Sequence, residues 1–282
     1  MLQYEIVDVF TDRPYAGNPL AVVLDGHRLS TDQMQALARE FHLSETAFPL
    51  PSSAADYRLR IFTPETELPF AGHPSVGTAH TLARLGRIPA GDVVQECGAG
   101  LLPVHIGAEV ITLVGGTPKV GGELDPGPLL AAVGLSAADF AGPPPRLAGC
   151  GISFAYLSVH AAALARAVPD PARLRLLGLD SGLSVSAWDP RRRAARTRVF
   201  AGAVGVFEDP ATGSAALGYG VWLVAAGLVA RHGTADYTVV QGVEMLRPSM
   251  LDCTVTAEDG QAVRATVAGR VVPVASGTIR EP

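Results

Sequence analysis

Apolar residues recur along the chain with two spacings, one typical of helices and one typical of strands. In the segment 31–41 they fall on one face of a helix. These residues are Met34, Leu37, Ala38 and Phe41. Ser30 and Gln33 have the spacing of a capping box, so we expect the helix to begin directly after Ser30.

The rest of the first half alternates between strand and helix patterns. The pattern predicts strands over 18–24, 45–50 and 57–62, a helix over 74–85 that ends at Gly86, and a strand-rich stretch over 93–106. The second half has the same order of patterns. It predicts strands over 153–159, 183–188 and 198–200, a short helix over 171–179, a long helix over 210–226, and final strands from Tyr237 onward. The repeated order predicts two related lobes.

The repeat extends to the residues themselves. Arg60-Ile61-Phe62 corresponds to Arg198-Val199-Phe200, and the segment His73 to Ala79 corresponds to Asp209 to Ala215. We therefore expect an N-terminal lobe over 1–114, a Gly- and Pro-rich linker over 115–128, and a C-terminal lobe over 129–264. The last strand, 265–282, is a candidate to complete the N-terminal lobe.

Both long helices are expected to start at a proline. Pro74 and Pro210 suit the first helical position, where the missing N–H costs nothing. Small residues follow each proline and leave the first backbone N–H groups accessible, so each helix start is a candidate site for an anion such as a carboxylate. A purely structural alternative is that Asp209 only caps its helix and that Gly72-His73 is a plain turn.

Composition narrows the class of protein. The 282 residues carry a net charge of −5 without long charged runs, which predicts no nucleic-acid binding. The most apolar stretch, 221–230, is too short to span a membrane, and the start of the chain does not have the pattern of a signal peptide. These features predict a soluble cytoplasmic protein. Lys119 is the only lysine, and its Gly/Pro-rich surroundings make pyridoxal phosphate chemistry an unfavoured interpretation.

Four segments together resemble the PhzF-like family of phenazine biosynthesis, which shares the diaminopimelate epimerase fold. They are Asn18-Pro19-Leu20-Ala21-Val22-Val23, Ser44-Glu45-Thr46-Ala47-Phe48, Glu67-Leu68-Pro69-Phe70-Ala71-Gly72-His73-Pro74 and Glu208-Asp209-Pro210-Ala211-Thr212-Gly213-Ser214-Ala215. Gln241-Gly242 and Arg247-Pro248-Ser249 also match. The resemblance implies an α+β fold of two pseudo-symmetric lobes, each a barrel-like sheet around a central helix. It also implies a homodimer and catalysis without a metal or an organic cofactor.

The same resemblance implies roles for individual residues. Glu45 would move the proton, and His73 and Asp209 would orient the substrate or assist in proton transfer. The residues implied to bind a small carboxylated substrate are Asn18, Gly72, Gly213 and Ser214. Asn18 has an equally open role as a turn residue before Pro19.

Related epimerases carry a catalytic cysteine at each of these helix starts, where this chain has His73 and Asp209. A pair of thiolates is therefore not expected here. Cys97, in the loop-like segment 96–100, is followed by a strand pattern, so we interpret it as a structural residue.

The expected activity is that of an isomerase of the dihydro-hydroxyanthranilate type. The apolar neighbours of Glu45 would remove its carboxyl group from water, and such a group can take and return a proton near neutrality. Three alternatives stay open: an exposed Glu45 without a catalytic role, an amino-acid or hydroxy-acid epimerase that uses Glu45 and Asp209, and a metabolite-binding member without catalysis.

Overall fold

Two compact units account for the chain in a computed structural model that describes residues 1–201 and 206–282. The first unit contains Met1–Val114 and Ala268–Pro282, and the second contains Gly115–Val267. Residues 115–128, expected to form a linker, lie in the second unit, where they form a strand over Pro118–Glu123 and begin a helix at Pro126.

Strands dominate both units. The elements up to the middle of the chain are β1 (Leu2–Val9), β2 (Asn18–Val23), α1 (Thr31–Phe41), β3 (Glu45–Leu50), β4 (Tyr57–Phe62), β5 (Glu67–Leu68), α2 (Gly72–Arg84), β6 (Gly91–Cys97), β7 (Gly100–Ile106), β8 (Ile111–Val114), β9 (Pro118–Glu123) and α3 (Pro126–Ala132). They are followed by β10 (Arg146–Cys150), β11 (Ile152–Ser158), α4 (Ala161–Leu164), α5 (Pro171–Leu176), β12 (Leu183–Asp189), β13 (Ala194–Ala201), β14 (Val206–Asp209), α6 (Gly213–Ala225), β15 (Gly233–Gln241), β16 (Ser249–Glu258), β17 (Gln261–Gly269) and β18 (Val271–Ile279).

The first unit is one sheet curled around α2. The pairing order is β18-β1-β2-β3-β4-β6-β7-β8, and the β2/β3 and β4/β6 pairs are parallel. Helix α2 contacts strands from both ends and from the middle of this order, which requires the sheet to curl around it. The predicted helix α1 begins at the predicted capping box and packs its apolar face on Phe48 and Phe62, outside the sheet.

The second unit repeats this topology. Its order is β9-β10-β11-β12-β13-β15-β16, with parallel β11/β12 and β13/β15 pairs, and α6 contacts strands from both ends. In each unit a short strand just before the central helix adds an antiparallel pair: β5 pairs with β4, and β14 pairs with β13. The expected fold, a curled sheet around one helix in each lobe, is confirmed.

Helix α6 is apolar on every face because the sheet encloses it. The residues from Gly213 to Val224 are all buried. Tyr156 of β11 and Tyr237 of β15 donate their hydroxyl groups to the carbonyls of Ala215 and Ala216, at 2.8 Å each. A Cβ atom on Gly218 would lie 2.3 Å from the Tyr156 hydroxyl, so only glycine fits there.

We expect Gly218→Ala to lower the free energy of unfolding by about 2 kcal/mol, because the added methyl group overlaps the Tyr156 hydroxyl. In an uncrowded helix the same change is stabilising. Urea denaturation measures the effect. Tyr156→Phe in the Gly218→Ala background removes the overlapping atom and should restore part of the loss. An unchanged or higher stability of Gly218→Ala alone would contradict the enclosure.

The sequence repeat Arg-x-Phe is also a structural repeat. Arg60 donates from Nε and Nη2 to both oxygens of Glu67, at 2.7 Å each. Arg198 does the same to Glu208, at 2.8 Å each. Each guanidinium lies over the phenylalanine two residues on, 5.1 Å from the ring centre. These two bidentate Arg–Glu pairs, here called forks, therefore link β4 to β5 and β13 to β14.

The two forks differ in burial. In the second unit the side chains of Arg198 and Glu208 are 8% and 13% exposed, against 17% and 38% for Arg60 and Glu67. Arg198 also donates from Nη1 to the carbonyls of Leu164 and Ala167. Removal of Arg198 would therefore leave the buried Glu208 carboxylate and two backbone carbonyls without their donor. Removal of Arg60 would leave a carboxylate that is closer to solvent.

We expect Arg198→Met to lower the free energy of unfolding by about 3 kcal/mol, the cost of leaving one partner of a buried ion pair. Arg60→Met is the matched control and should cost about 1 kcal/mol, because its fork is closer to solvent. Urea denaturation of both variants tests the difference. Equal losses would show that burial does not distinguish the two forks.

Candidate active site

The start of α2 lies inside the first unit. The helix begins at Gly72, after Ala71 as its N-terminal flanking residue, and no side chain caps it. Pro74 is the third residue of the helix, so the prediction that it occupies the first position is wrong. Proline is tolerated there because the N–H groups of the first turn have no intrahelical acceptor in any case. The N–H groups of Gly72 and His73 point out of the helix start for the same reason.

His73 is held by a buried carboxamide. Its Nδ1 lies 3.2 Å from Nδ2 of Asn18, and the Ser44 hydroxyl donates to Oδ1 of Asn18 at 3.0 Å. Asn18 is fully buried at the first position of β2, and His73 is 3% exposed. The structure therefore places Asn18 in contact with the histidine at the start of α2, which goes beyond a turn before Pro19.

Glu45 lies at the same end of the sheet. It is the first residue of β3 and pairs in parallel register with Leu20 of β2. Its side chain is 11% exposed, and Oε2 lies 3.5 Å from Nε2 of His73. The alternative of an exposed glutamate is therefore wrong. The structure brings Asn18, Glu45 and His73 together at the start of α2.

Burial decides the charge state of His73. Removal from water lowers the pKa of His73 to about 3. The imidazole is therefore neutral near pH 7, and its contact with Glu45 is that of a carboxyl group with a neutral ring. An ion pair would require the histidine to gain a proton that its surroundings disfavour.

The start of α6 is organised by Gln241, the last residue of β15. Its Oε1 accepts from the backbone N–H of Thr212 at 3.2 Å, and its Nε2 donates to the backbone carbonyl of Asp209 at 2.7 Å. These two backbone partners fix which end of the carboxamide is oxygen, because a backbone N–H only donates and a carbonyl only accepts. Nε2 also donates to Oγ1 of Thr212 at 2.9 Å.

The direction of these hydrogen bonds continues to Asp209. Because the Thr212 hydroxyl accepts from Gln241, its own proton is available to Oδ2 of Asp209, 2.5 Å away. Asp209 Oδ2 is therefore an acceptor. Asp209 is 6% exposed. It lies three residues before Thr212, the residue that flanks the start of α6.

The expected start of α6 needs correction. The helix begins at Gly213, three residues after Pro210, and Thr212 rather than Asp209 is its flanking residue. The segment from Asp209 to Thr212 lies outside the helix, and Gln241 bonds both of its ends. Gly213 and Ser214, predicted to bind substrate, are the first two residues of α6, and both are buried. Asp209, Gly213 and Ser214 thus lie together at this helix start.

Ser44, Thr212 and Gln241 contact the predicted site residues, but the sequence interpretation assigned them no role. Each lies in a segment that carried the family resemblance, which is the signal that could have found Gln241. Gly242, the next residue after Gln241, leaves room for the segment that Gln241 bonds. Its φ is +73°, and a Cβ there would lie 2.6 Å from the carbonyl oxygen of Pro210. A side chain at 242 would displace the segment that Gln241 holds.

The three cysteines are free and buried, and none lies at the start of α2 or α6. Burial raises the pKa of Cys97 and raises that of Cys150 to about 12. The interpretation of Cys97 as a structural residue agrees with its place in the β6–β7 hairpin, opposite Gly100. In residues 1–201 and 206–282, no three His, Cys, Asp or Glu side chains are grouped as metal ligands would be.

A curled sheet around a central helix, repeated along one chain, is the architecture of epimerase-like enzymes. A hydroxyproline epimerase from Agrobacterium vitis has this fold, with a TM-score of 0.67, 17% identity, and coverage of 99% of this chain and 90% of that one. The chain matches the family described as phenazine biosynthesis-like protein over residues 7–277, and it belongs to that family.

Individual relatives agree with this assignment. The trans-2,3-dihydro-3-hydroxyanthranilate isomerase of Pseudomonas chlororaphis is 33% identical over 99% of both chains. The PhzF-family phenazine biosynthesis protein of Bacillus anthracis superposes with a TM-score of 0.89, at 26% identity and 99% coverage of both chains. The protein is an isomerase, and the resemblance seen in its sequence is confirmed. Among the described residues, no helix is both long and apolar enough to cross a membrane.

The buried neutral histidine predicts a pH dependence of stability. His73 has an ordinary pKa of 6.5 when unfolded and about 3 when folded, so between these values the unfolded chain binds one more proton. The free energy of unfolding should therefore fall as the pH falls below 6.5, by up to about 1.4 kcal/mol per pH unit from this residue. Urea denaturation at several pH values from 7.5 to 5 should give a flatter profile for His73→Gln than for the wild type. Parallel profiles would mean that His73 is not held neutral.

Proposed function

We propose that this protein is an isomerase that moves a proton between carbon atoms of a small carboxylated metabolite, with Glu45 as the acid and base. The reaction would be of the dihydro-hydroxyanthranilate type. It would require only the side chains and backbone N–H groups of the chain, without a metal or an organic cofactor. Asp209 and His73 would orient the substrate or assist the transfer.

The observation that carries this proposal is the position of Glu45. Its carboxyl group is nearly buried, lies next to a neutral His73, and adjoins the uncapped start of α2. A carboxyl group in such a place interacts with few waters and is close to groups that bind an anion. A surface glutamate at a strand start would have neither property.

The chemistry balances without a second reactant. Glu45 would take a proton from a carbon next to a double bond, and the electrons of that C–H bond would form a new double bond. The electrons of the old double bond would then take the proton back from Glu45 at another carbon. Negative charge that builds up during the transfer would spread onto the substrate carboxylate, where helix-start N–H groups stabilise it.

Two helix starts supply candidate N–H groups for the carboxylate. In the first unit these are Gly72 and His73, and in the second unit they are Gly213 and Ser214. Asn18 is a further candidate for a hydrogen bond to substrate. The substrate class is supported by the relative from Pseudomonas chlororaphis, which is named for its action on trans-2,3-dihydro-3-hydroxyanthranilate. Homodimer formation and a cytoplasmic location stay predictions.

We expect Glu45→Gln to reduce turnover of trans-2,3-dihydro-3-hydroxyanthranilate by about 10³-fold, the usual contribution of a positioned acid or base. In deuterated water, the wild type should place solvent deuterium at the carbon that receives the proton, and the variant should not. Glu40→Gln makes the same substitution on the exposed side of α1 and is the matched control.

Full turnover and deuterium incorporation by Glu45→Gln would refute the role of Glu45. Inversion at one carbon of an amino acid or hydroxy acid, found by chiral analysis, would indicate an epimerase instead. Binding of the acid without any deuterium incorporation by the wild type would indicate a metabolite-binding member without catalysis.

A further inference from the structure

Asn18 presents two chemically different atoms to its two neighbours. Its Oδ1 only accepts hydrogen bonds, and its Nδ2 only donates them. The Ser44 hydroxyl donates to Oδ1 at 3.0 Å, so the opposite end of the carboxamide, Nδ2, faces Nδ1 of His73 at 3.2 Å. With Ser44 on Oδ1, the donor end of the Asn18 carboxamide meets the imidazole.

An amide nitrogen that faces Nδ1 determines the position of the ring proton. Because Nδ2 cannot accept, Nδ1 of His73 has to be the nitrogen without a proton. A neutral imidazole carries one proton, which then lies on Nε2. Nε2 is the ring nitrogen that faces Oε2 of Glu45, 3.5 Å away, which is longer than an ordinary N–H···O hydrogen bond.

We propose that Ser44 and Asn18 are positioning residues that hold His73 in the tautomer with its proton on Nε2, directed at Glu45. The inference about the tautomer stands on the geometry of these four side chains. Its consequence for catalysis rests on the proposed function.

That consequence assigns different tasks to Glu45 and His73. The lone pair of His73 Nδ1 is occupied by an Asn18 N–H, and its Nε2 already carries a proton, so the ring offers a donor and no base. Glu45 Oε2 faces that donor at 3.5 Å. His73 would thus orient the Glu45 carboxyl group, and the proton would not pass through the imidazole.

The tautomer is measurable without any substrate. In protein labelled with ¹⁵N-histidine, long-range ¹H–¹⁵N correlation distinguishes protonated from unprotonated ring nitrogens. The chain has seven histidines, and His73→Gln identifies the signals of His73 by their loss. At pH 7 we expect an unprotonated Nδ1 and a protonated Nε2. A protonated Nδ1 in the wild type would overturn the proposal.

Variants test whether Ser44 and Asn18 are the cause. Asn18→Asp replaces the donor by an acceptor of nearly the same shape and should move a proton onto Nδ1. Because Asn18 is fully buried, Ser44→Ala provides a milder test at a half-buried position. Ser44→Ala should bring the ¹⁵N chemical shifts of the two ring nitrogens of His73 closer together, because both tautomers become populated. Ser44→Thr should restore the wild-type spectrum. An unchanged tautomer in folded Asn18→Asp, or in Ser44→Ala, would contradict their positioning role.

The assay of turnover separates this inference from the proposed function. The expected tautomer together with absent turnover would refute the function and leave the inference intact. The opposite tautomer in an enzyme that turns over normally would refute the inference alone. For Ser44→Ala we expect kcat to fall by about tenfold with a small change in KM, because the carboxyl group is less well oriented while substrate binding is retained.

Discussion

Enclosure of a helix by a curled sheet is the constraint on which this structure depends. Such a helix cannot present polar side chains to water, so α6 is buried from Gly213 to Val224 and α2 is buried over most of its length. Side chains of the surrounding strands crowd the helix at Gly77, where a Cβ would lie 2.7 Å from the Leu20 side chain, and at Gly218. Enclosure also places the first turn of each helix, with its unbonded N–H groups, away from bulk water. A buried helix start is a natural place for an anion, and both polar clusters lie there.

Each cluster contains a carboxamide that determines hydrogen-bond direction. In the first unit Asn18 lies between Ser44 and His73, and in the second Gln241 bonds Asp209 and Thr212. A carboxamide suits this task because one of its ends only donates and the other only accepts, and because it is never charged. His73 and Asp209 occupy corresponding positions of the sequence repeat. A carboxamide contacts the imidazole of His73 in the first unit and the backbone carbonyl of Asp209 in the second. The two carboxamides come from different strands, β2 and β15, so similar surroundings arise from different parts of the repeat.

The two halves of the chain share a topology and differ in detail. The bidentate Arg-Glu forks at Arg60 and Arg198 have nearly the same geometry, although only the second is deeply buried. The helix starts differ more. Helix α2 begins before its proline, whereas α6 begins three residues after the corresponding one. In the second unit Gln241 bonds both ends of the segment from Asp209 to Thr212, which precedes the helix. A shared motif in the sequence therefore does not require the same local backbone.

Local patterns in the sequence were sufficient for the elements whose signals are local. The helix over 31–41 with its capping box, and the strands over 45–50 and 57–62, have the predicted bounds, because amphipathic spacing and capping depend on neighbouring residues alone. The internal repeat and the family motifs also indicated the fold and the isomerase class. Only the tertiary structure decided that Glu45 is buried beside a neutral His73, that Thr212 flanks α6, and that Ser44 and Gln241 take part. Those facts depend on contacts between residues such as Asn18 and His73, or Asp209 and Gln241, which are 55 and 32 positions apart in the chain. No local pattern records which distant side chains a curled sheet brings into hydrogen-bonding distance.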